Sequence, residues 1–442
     1  MGRKRSLQLL RNRGIRIDSA IKVVHLLNSK TRILAPALLV ALSILTFYMA
    51  PTHADQILAA TRIFGSGATV DNEGSLIVIG SSSPFSNGMS QAFLLKYVSS
   101  LPDSPNGQLS CMKTFGNGEP LDTFGYSVAT DSSNSIYTAG STQTFGGEDY
   151  DVFLQKYDQS CHLLFTEQWG GAGNDVPRGI AVDAGDNVYI TGSTDSFGNG
   201  LTQIFLLKYS SVGELQWSKT FGGSKNDFGN SVAVDTYGNV YVAGTTNSYG
   251  AGAADIILLK YDSSGNLLYY RTWGGTQNDY GTGVAVDSGG YVYVTGYTYR
   301  LGPTPGTSAV VLLKYDPSGN KLFQQTWGGT FNDFATGIAV DLDGHVYVVG
   351  YTKTNAITPG VPSAFLLKYD SSGNLLFQRF WGGNRGDFAY AVAVDTQENV
   401  YVTGYSYSFG PNTQGPNFFI LKYDYYGNLQ FQRLYGGGIP DP

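Results

Sequence analysis

The sequence predicts an all-β fold, a seven-bladed β-propeller of four-stranded antiparallel blades preceded by an N-terminal signal or anchor helix. The main observation is that versions of the segment from Thr272 to Thr298, TWGGTQNDYGTGVAVDSGGYVYVTGYT, recur along most of the chain. Gly accounts for 58 of 442 residues, Tyr and Phe for 31 and 24, and charged residues for only 14%. This composition is typical of turn-rich, aromatic-packed β structure. No long helical periodicity follows Ala54.

The first 54 residues differ from the rest in charge and hydropathy. Nine Lys or Arg and a single Asp lie in residues 1–32, and an uncharged, mostly apolar run follows at residues 33–50. A basic flank before such a run indicates an export signal or a signal anchor. We interpret residues 1–32 as a basic cytoplasmic region, 33–54 as a signal peptide or membrane anchor, and 55–442 as the propeller. Cleavage before Asp55 and retention in the membrane both stay open, and either places the propeller at the cell surface or outside the cell.

The predicted propeller domain is acidic. Subtracting the first 54 residues leaves 28 − 9 = 19 Lys or Arg against 34 − 1 = 33 Asp or Glu, a formal net charge of −14. Such a domain repels phosphate backbones and anionic lipid head groups. We therefore expect no nucleic-acid partner, and contact with a membrane only through residues 33–50 if they are not cleaved.

Two independent anchors define the repeat. The Asp that ends each VAVD-like segment and the Lys of each LLKY-like segment recur at the same six intervals of 60, 52, 52, 52, 54 and 54 residues. The Asp anchors are Asp71, Asp131, Asp183, Asp235, Asp287, Asp341 and Asp395, and the Lys anchors are Lys96, Lys156, Lys208, Lys260, Lys314, Lys368 and Lys422. Both sets indicate seven units.

Each unit reads as two hairpins. In the fifth unit, residues 283–287 (GVAVD) and 291–295 (YVYVT) flank a Ser-Gly-Gly turn, and residues 309–315 and 321–327 flank Asp-Pro-Ser-Gly-Asn. Short β-branched or aromatic runs around such turns predict antiparallel strands. Four-stranded units with a period near fifty residues are typical of propeller blades. Residues 57–64 (ILAATRIF) read as an additional outer strand, which we expect to pair with the last blade.

The repeat also resembles a known family. The combination of WGGxxND, GVAVDxxGNVYVTGYT and FLLKYDSSGNLLFQRTWGG is similar to the SBBP-type β-propeller repeat of bacterial and archaeal exported proteins, and the resemblance covers residues 57–437. It implies a propeller, in a family whose function is usually undefined. The first unit departs from the pattern, since Phe64-Gly-Ser-Gly leads straight into Ala68-Thr-Val-Asp71 without an Asn-Asp loop.

The repeated polar motifs are better explained as caps of turns and loops than as catalytic or metal-binding sites. Asn-Asp pairs such as Asn278-Asp279 lie between blades and could form a ring of carboxylates for a cation, but Asp and Asn also cap tight loops. Asp341-Leu-Asp343-Gly344 lacks the full calcium-loop spacing and reads as a hairpin turn. His162 and His345 also fall in turns. We therefore expect no catalytic residue, no metal site and no cofactor.

The two cysteines occupy different places in the repeat. Cys111 lies within a predicted outer strand, and Cys161 lies in the turn before the outer strand of the next unit. Because these places are not equivalent, we expect them to be too far apart for a disulfide.

Variation between the copies suggests where a partner could bind. The loops between the second and third strands differ most, and blades five and six have the longer ones. Tyr and Arg, which are enriched in recognition surfaces, occur there and in blade seven. The candidate binding residues are Tyr297, Tyr299, Arg300, Tyr351, Lys353, Tyr405 and Tyr407. Tolerated drift of surface loops is the alternative explanation.

These observations favour a non-enzymatic propeller, exported or membrane-anchored, that acts as a scaffold binding a surface protein or a glycan at the cell surface. One alternative is an extracellular carbohydrate-active hydrolase or lyase with carboxylates near the propeller axis, for which the unrepeated acids Glu119, Glu148 and Asp149 are candidates. Another is a structural envelope or surface-layer component that self-associates.

Overall fold

The computed structural model describes residues 62–83, 90–98, 108–115, 122–143, 149–198, 200–299, 301–302, 304–410 and 415–436. Contacts divide the chain into Met1–Thr52 and His53–Pro442, and all described residues belong to the second unit. The predicted signal or anchor segment, residues 33–54, lies outside the described part. Within the described part, no helix is long and apolar enough to cross a membrane.

The described residues form seven sheets, each of four antiparallel strands in chain order. Blades one to four contain β1 (Arg62–Val70), β2 (Leu76–Ser83), β3 (Gln91–Val98), β4 (Gln108–Phe115), β5 (Thr123–Thr130), β6 (Ile136–Gln143), β7 (Tyr150–Tyr157), β8 (Leu163–Trp169), β9 (Asp175–Val182), β10 (Val188–Thr194), β11 (Gln203–Tyr209), β12 (Leu215–Phe221), β13 (Asp227–Val234), β14 (Val240–Thr246), β15 (Asp255–Tyr261) and β16 (Leu267–Trp273). Blades five to seven contain β17 (Asp279–Val286), β18 (Val292–Thr298), β19 (Ala309–Tyr315), β20 (Lys321–Trp327), β21 (Asp333–Val340), β22 (Val346–Thr352), β23 (Ser363–Tyr369), β24 (Leu375–Trp381), β25 (Asp387–Val394), β26 (Val400–Ser406), β27 (Asn417–Tyr423) and β28 (Leu429–Tyr435). The predicted seven-bladed, four-stranded architecture is confirmed.

Burial changes from the third strand of a blade to the outermost one. Every residue of β19 (AVVLLKY) is buried, because both faces of this strand are covered by neighbouring blades. In β20 (KLFQQTW) exposed and half-buried residues alternate after the first two positions, as expected for a strand with one face toward solvent. The core therefore lies between blades, in layers that repeat around the ring.

Side-chain packing between blades one and seven closes the ring. The rings of Phe93 and Phe418 lie 6.1 Å apart, and those of Tyr97 and Tyr435 lie 5.9 Å apart. The predicted pairing of residues 57–64 with the last blade is wrong for Arg62–Phe64, which belong to β1 and pair with Ser81–Ser83 of β2. Because the first unit lacks the preceding loop, its inner strand starts directly at these residues. Residues 57–61 lie outside the described part.

The hairpin turns lie on one face of the ring, named here the turn face. In the Asp287 turn, the Oδ1 atom accepts hydrogen bonds from the backbone N–H groups of Gly289 (3.0 Å) and Tyr291 (2.9 Å). Asp341 caps its turn in the same way, accepting from Asp343 and His345. The expectation of a hairpin turn at Asp341 is confirmed.

The loops between blades and those between second and third strands lie on the opposite face, named here the loop face. Asp333 is fully buried and accepts hydrogen bonds from Thr354 Oγ1 (2.8 Å) and from the backbone N–H of Gly329 (2.9 Å). Asn332 Oδ1 accepts from the backbone N–H of Ser308 at 2.9 Å. Both side chains of this Asn-Asp pair thus satisfy loop groups, so the structural interpretation of the motif is confirmed there.

A disulfide joins Cys111 to Cys161, with their Cα atoms 6.5 Å apart, so the expectation of no bridge is wrong. The two positions are not equivalent within a blade, but the outer strand of one blade packs against the turn between the third and fourth strands of the next. Elsewhere the same contact places an aromatic ring on a glycine, as with Phe323 and Gly373. The cysteines replace that ring and that glycine with a covalent bond.

Candidate functional site

The structure brings three of the predicted tyrosines together on the loop face. Tyr297, Tyr351 and Tyr405 occupy the same position on β18, β22 and β26, the second strands of blades five to seven. Each lies directly opposite an aromatic residue of the inner strand of its own blade. The three cross-strand pairs are Tyr297 with Tyr280, Tyr351 with Phe334, and Tyr405 with Phe388.

These pairs join into one continuous stack across the three blades. The ring of Tyr297 lies 4.9 Å from Tyr280 and 4.8 Å from Phe334 of the next blade. The ring of Tyr351 in turn lies 4.9 Å from Phe334 and 4.9 Å from Phe388. Tyr405 continues the series at 5.0 Å from Phe388 and 5.4 Å from Tyr390. We call this set the aromatic arc: Tyr280, Tyr297, Phe334, Tyr351, Phe388, Tyr405 and Tyr390.

Two further candidates extend the arc at its ends. The ring of Tyr299 meets Tyr297 edge-on at 6.2 Å, and that of Tyr407 meets Tyr405 edge-on at 5.7 Å. The guanidinium of Arg385, which the sequence did not single out, lies 5.7 Å from the Tyr407 ring.

The structure describes only one of the two basic candidates. Lys353 has a half-buried side chain, and its backbone N–H donates to Asn332 O at 3.2 Å. Arg300 lies outside the described residues, so its place in the patch stays a prediction.

Burial further disfavours ionisation of two phenols of the arc, those of Tyr297 and Tyr405. It raises the pKa of Tyr297, with the neighbouring Tyr280 as the next cause. Burial likewise raises the pKa of Tyr405, followed by its hydrogen bond with Tyr390. The hydroxyl groups of Tyr297 and Tyr405 therefore stay neutral at physiological pH, and these rings present half-buried aromatic surface with uncharged polar tips.

A pocket of about 380 Å³ lies on the propeller axis beside the arc. Each blade contributes one lining residue at the irregular point of its inner strand, where the pairing register shifts, as at Gly281/Gly283 in blade five. A bulged residue leaves the regular alternation and can be directed out of the sheet. We call this the axial pocket, and its lining residues are Ser66, Tyr126, Arg178, Asn230, Thr282, Thr336 and Tyr390.

Hydrogen bonds fix several of these side chains. Asn230 Nδ2 in blade four donates to Gly281 O in blade five at 2.7 Å. Thr336 Oγ1 in blade six donates to Ala389 O in blade seven at 2.9 Å. The Tyr390 hydroxyl donates to that of Tyr405 at 3.4 Å, so it belongs to both the pocket and the arc. Arg178 is exposed and makes no salt bridge within the described residues.

The axial pocket was not predicted from the sequence, because differences between the seven copies were considered only in the loops. The signal was available inside the otherwise regular inner-strand segment. Between two small residues (Gly, Ala, Ser or Pro), as in DYGTGVAV, one residue changes from blade to blade among Ser, Tyr, Arg, Asn and Thr. That variable position is the one that faces the axis.

The acids considered for an enzyme do not line this pocket. Its seven lining residues include no carboxylate. Asp149 lies on the loop before β7 and adds to the repulsion that raises the pKa of Asp151, after burial and Asp175. Glu119 and Glu148 lie outside the described residues. Among the described residues, no group of three or more His, Cys, Asp or Glu side chains could hold a metal ion.

A comparison with protein families assigns the repeat. The profile of the SBBP family, a beta-propeller repeat, matches residues 164–199, 216–250, 273–300, 323–355 and 379–410. The chain carries SBBP β-propeller repeats. Each matched segment starts on an outer strand and continues through the first two strands of the next blade, so the SBBP unit spans the junction between blades.

Similarity to individual proteins covers only part of their length. The chain is 29% identical over 281 residues to the regulatory protein FlaEY of Caulobacter vibrioides, and 23% identical over 364 residues to an uncharacterized WD repeat-containing protein of Acanthamoeba polyphaga mimivirus. These alignments cover 52% and 58% of this chain but only 29% and 26% of those relatives. The chain therefore spans less than a third of either.

Solved structures support the fold. A puromycin hydrolase mutant complexed with PGG superposes with a TM-score of 0.51 at 11% identity, covering 87% of this chain and 55% of that one. At this identity the similarity extends to the fold alone.

Proposed function

We propose that this SBBP propeller is a binding scaffold at the cell surface, exported or anchored by residues 33–54, whose loop face recognises a surface protein or a glycan. The observation that carries the proposal is the aromatic arc. Seven aromatic rings form one half-buried stack over three blades, centred on Tyr297, Tyr351 and Tyr405. Aromatic surface with fixed geometry and polar tips is enriched in recognition sites.

The disulfide between Cys111 and Cys161 supports the proposed location. Disulfides form and persist in oxidising compartments and are rare in the cytosol. The basic region and apolar run at residues 1–50 support it independently. N-terminal sequencing of the mature protein tests the two forms, since a chain that starts at Asp55 is secreted and an uncleaved one is anchored.

Binding is tested by applying the full-length chain to an array of bacterial surface polysaccharides and to native envelope extract. The variant Tyr299→Ser with Tyr407→Ser removes the two edge-on rings at the ends of the arc, which lie outside the strands. We expect it to fold normally and to lose most of the captured partner. Folding is checked by circular dichroism and thermal unfolding.

The matched control places the same substitution on the turn face. Tyr237 and Tyr426 are 81% and 71% exposed there, so Tyr237→Ser with Tyr426→Ser also removes two tyrosines. Capture should be unchanged in this control. Equal capture by both double variants would contradict the assignment of binding to the arc.

A further inference from the structure

We propose that the axial pocket binds the carboxylate of an acidic sugar, with Arg178 as the residue that pairs with the carboxylate. The inference rests on the proposed function, because it specifies the ligand class that the loop face would recognise. It is argued from a different part of the molecule, the bulged residues of the inner strands.

The lining has the composition of a site for a hydroxylated anion. Arg178 is its charged member, and the other six residues carry hydroxyl or amide groups without a carboxylate. A guanidinium binds a carboxylate through two parallel hydrogen bonds. Hydroxyl and amide groups donate and accept, which suits the hydroxyl groups of a sugar ring.

Arg178 is available for such a ligand. Its side chain is exposed and forms no salt bridge within the described residues, although the domain is strongly acidic. Its neighbours in the lining are Tyr126 of blade two and Asn230 of blade four. Asn230 is already held by Gly281 O at 2.7 Å, so its amide is oriented before any ligand arrives.

The pocket also continues into the aromatic surface. Tyr390 lines the pocket and stacks on Tyr405 at 5.4 Å with an interplanar angle of 24°. A volume of about 380 Å³ lies in the range of pockets that hold small ligands. An acidic sugar seated on the axis could therefore carry further sugars outward across the arc, where aromatic faces are present.

The test is a titration of the full-length chain with D-glucuronate, D-glucose and acetate. Isothermal titration calorimetry or saturation-transfer NMR measures the binding of each compound. We expect glucuronate to bind more tightly than either glucose, which lacks the carboxylate, or acetate, which lacks the ring. Arg178→Gln should weaken glucuronate binding at least tenfold, and Arg178→Lys should recover only part of it because the ammonium lacks the planar fork.

Lys225→Gln is the matched control, because it removes one exposed positive charge from the loop face outside the axial pocket. It should leave glucuronate binding unchanged. Binding that survives Arg178→Gln, equal binding of glucose and glucuronate, or no binding of glucuronate at all would overturn the proposal. Acetate binding as tight as that of glucuronate would also overturn it, since the site would then recognise a bare carboxylate.

The outcome is separable from that of the proposed function. Arg178→Gln leaves the aromatic arc intact, and Tyr299→Ser with Tyr407→Ser leaves the lining of the axial pocket intact. Wild-type protein that captures an envelope partner but does not bind glucuronate contradicts only the assignment of the axial pocket. Wild-type protein that binds glucuronate, with capture unchanged in Tyr299→Ser with Tyr407→Ser, contradicts only the assignment of binding to the arc.

Discussion

The two halves of the ring differ at one repeated position of the second strand. Blades one to four carry a small hydroxyl residue there, and blades five to seven carry a tyrosine. The residues are Ser81, Ser141, Ser193, Thr245, Tyr297, Tyr351 and Tyr405. In the first half, Ser81 Oγ accepts a hydrogen bond from the backbone N–H of Gly125 in the next blade at 3.2 Å. The same backbone position thus either bridges a blade junction or supplies half-buried aromatic surface.

The first half has its own departure from the repeat, on the turn face. At the junctions from blade two to blade seven, a ring of one outer strand lies on a glycine of the next blade. A Cβ added at Gly319 would lie only 2.8 Å from Tyr269, and this glycine has a φ of +83°. Cys161 has a φ of 62° at the equivalent place and is bonded to Cys111. Each half therefore alters one face and keeps the blade scaffold unchanged.

The largest expected effect comes from breaking the covalent junction in the first half. Cys111→Ser with Cys161→Ser should lower the free energy of unfolding by about 3 kcal/mol, because the cross-link restrains a long loop in the unfolded chain. Chemical denaturation measures this. Cys111→Phe with Cys161→Gly installs the ring-on-glycine contact of the other blades and should recover about 1 kcal/mol. Identical denaturation midpoints for oxidised and reduced wild-type protein would contradict the prediction.

The sequence was sufficient for the scaffold because every blade repeats the same physical requirements. The Asp and Lys anchors define seven units, and Asp287, Asp333 and Asn332 cap turns and loops as their residue types predict. The ring of Trp381, from the repeated Trp-Gly-Gly segment, also lies 4.5 Å from the ring of Phe419 in the next blade. Local turn chemistry and strand periodicity are encoded within one unit.

Contacts between successive units were harder to predict. Cys111 and Cys161 are not equivalent within a blade, yet successive blades place these two positions together. The axial residues were missed for a related reason, since a bulge at Arg178 interrupts the alternation of the strand. The sequence predicted that Tyr297, Tyr351 and Tyr405 lie in one patch, and the structure joins their rings into one stack, while partner binding there stays a prediction. Their inner-strand partners could be found only from the pairing register.

A smaller effect is expected from converting the second half to the first. Tyr351→Ser introduces the residue that blades one to three carry and removes a ring packed 4.9 Å from both Phe334 and Phe388. Because this ring is half-buried, the free energy of unfolding should fall by about 2 kcal/mol. Tyr351→Phe keeps the ring and should cost less than about 0.5 kcal/mol. Equal costs for the two variants in urea denaturation would show that the ring does not stabilise the junction.

The smallest effect concerns the junction between the two halves, where two carboxylates meet. The carboxylates of Asp255 and Asp279 both lie against Gly274, where a Cβ would clash with Asp255 Oδ1 and lie 2.7 Å from Asp279 Oδ2. Burial raises the pKa of Asp255, with repulsion from Asp279 as the next cause. At the junction of blades three and four, Gln203 takes the place of Asp255 and Asp227 that of Asp279, so this junction has one carboxylate and a neutral amide.

Because its pKa is raised on folding, Asp255 holds more protons in the native state than in the unfolded one over the range above the ordinary aspartate pKa. Its unfavourable contribution therefore decreases as the pH falls through that range. Asp255→Asn should stabilise the protein at pH 7 by less than about 1 kcal/mol, and the gain should shrink on acidification. Gln203→Asp should create the same pH dependence at the junction of blades three and four. Denaturation of both variants between pH 4 and 7 measures the two slopes; a gain for Asp255→Asn that grows as the pH falls would show that repulsion between the carboxylates is not its source.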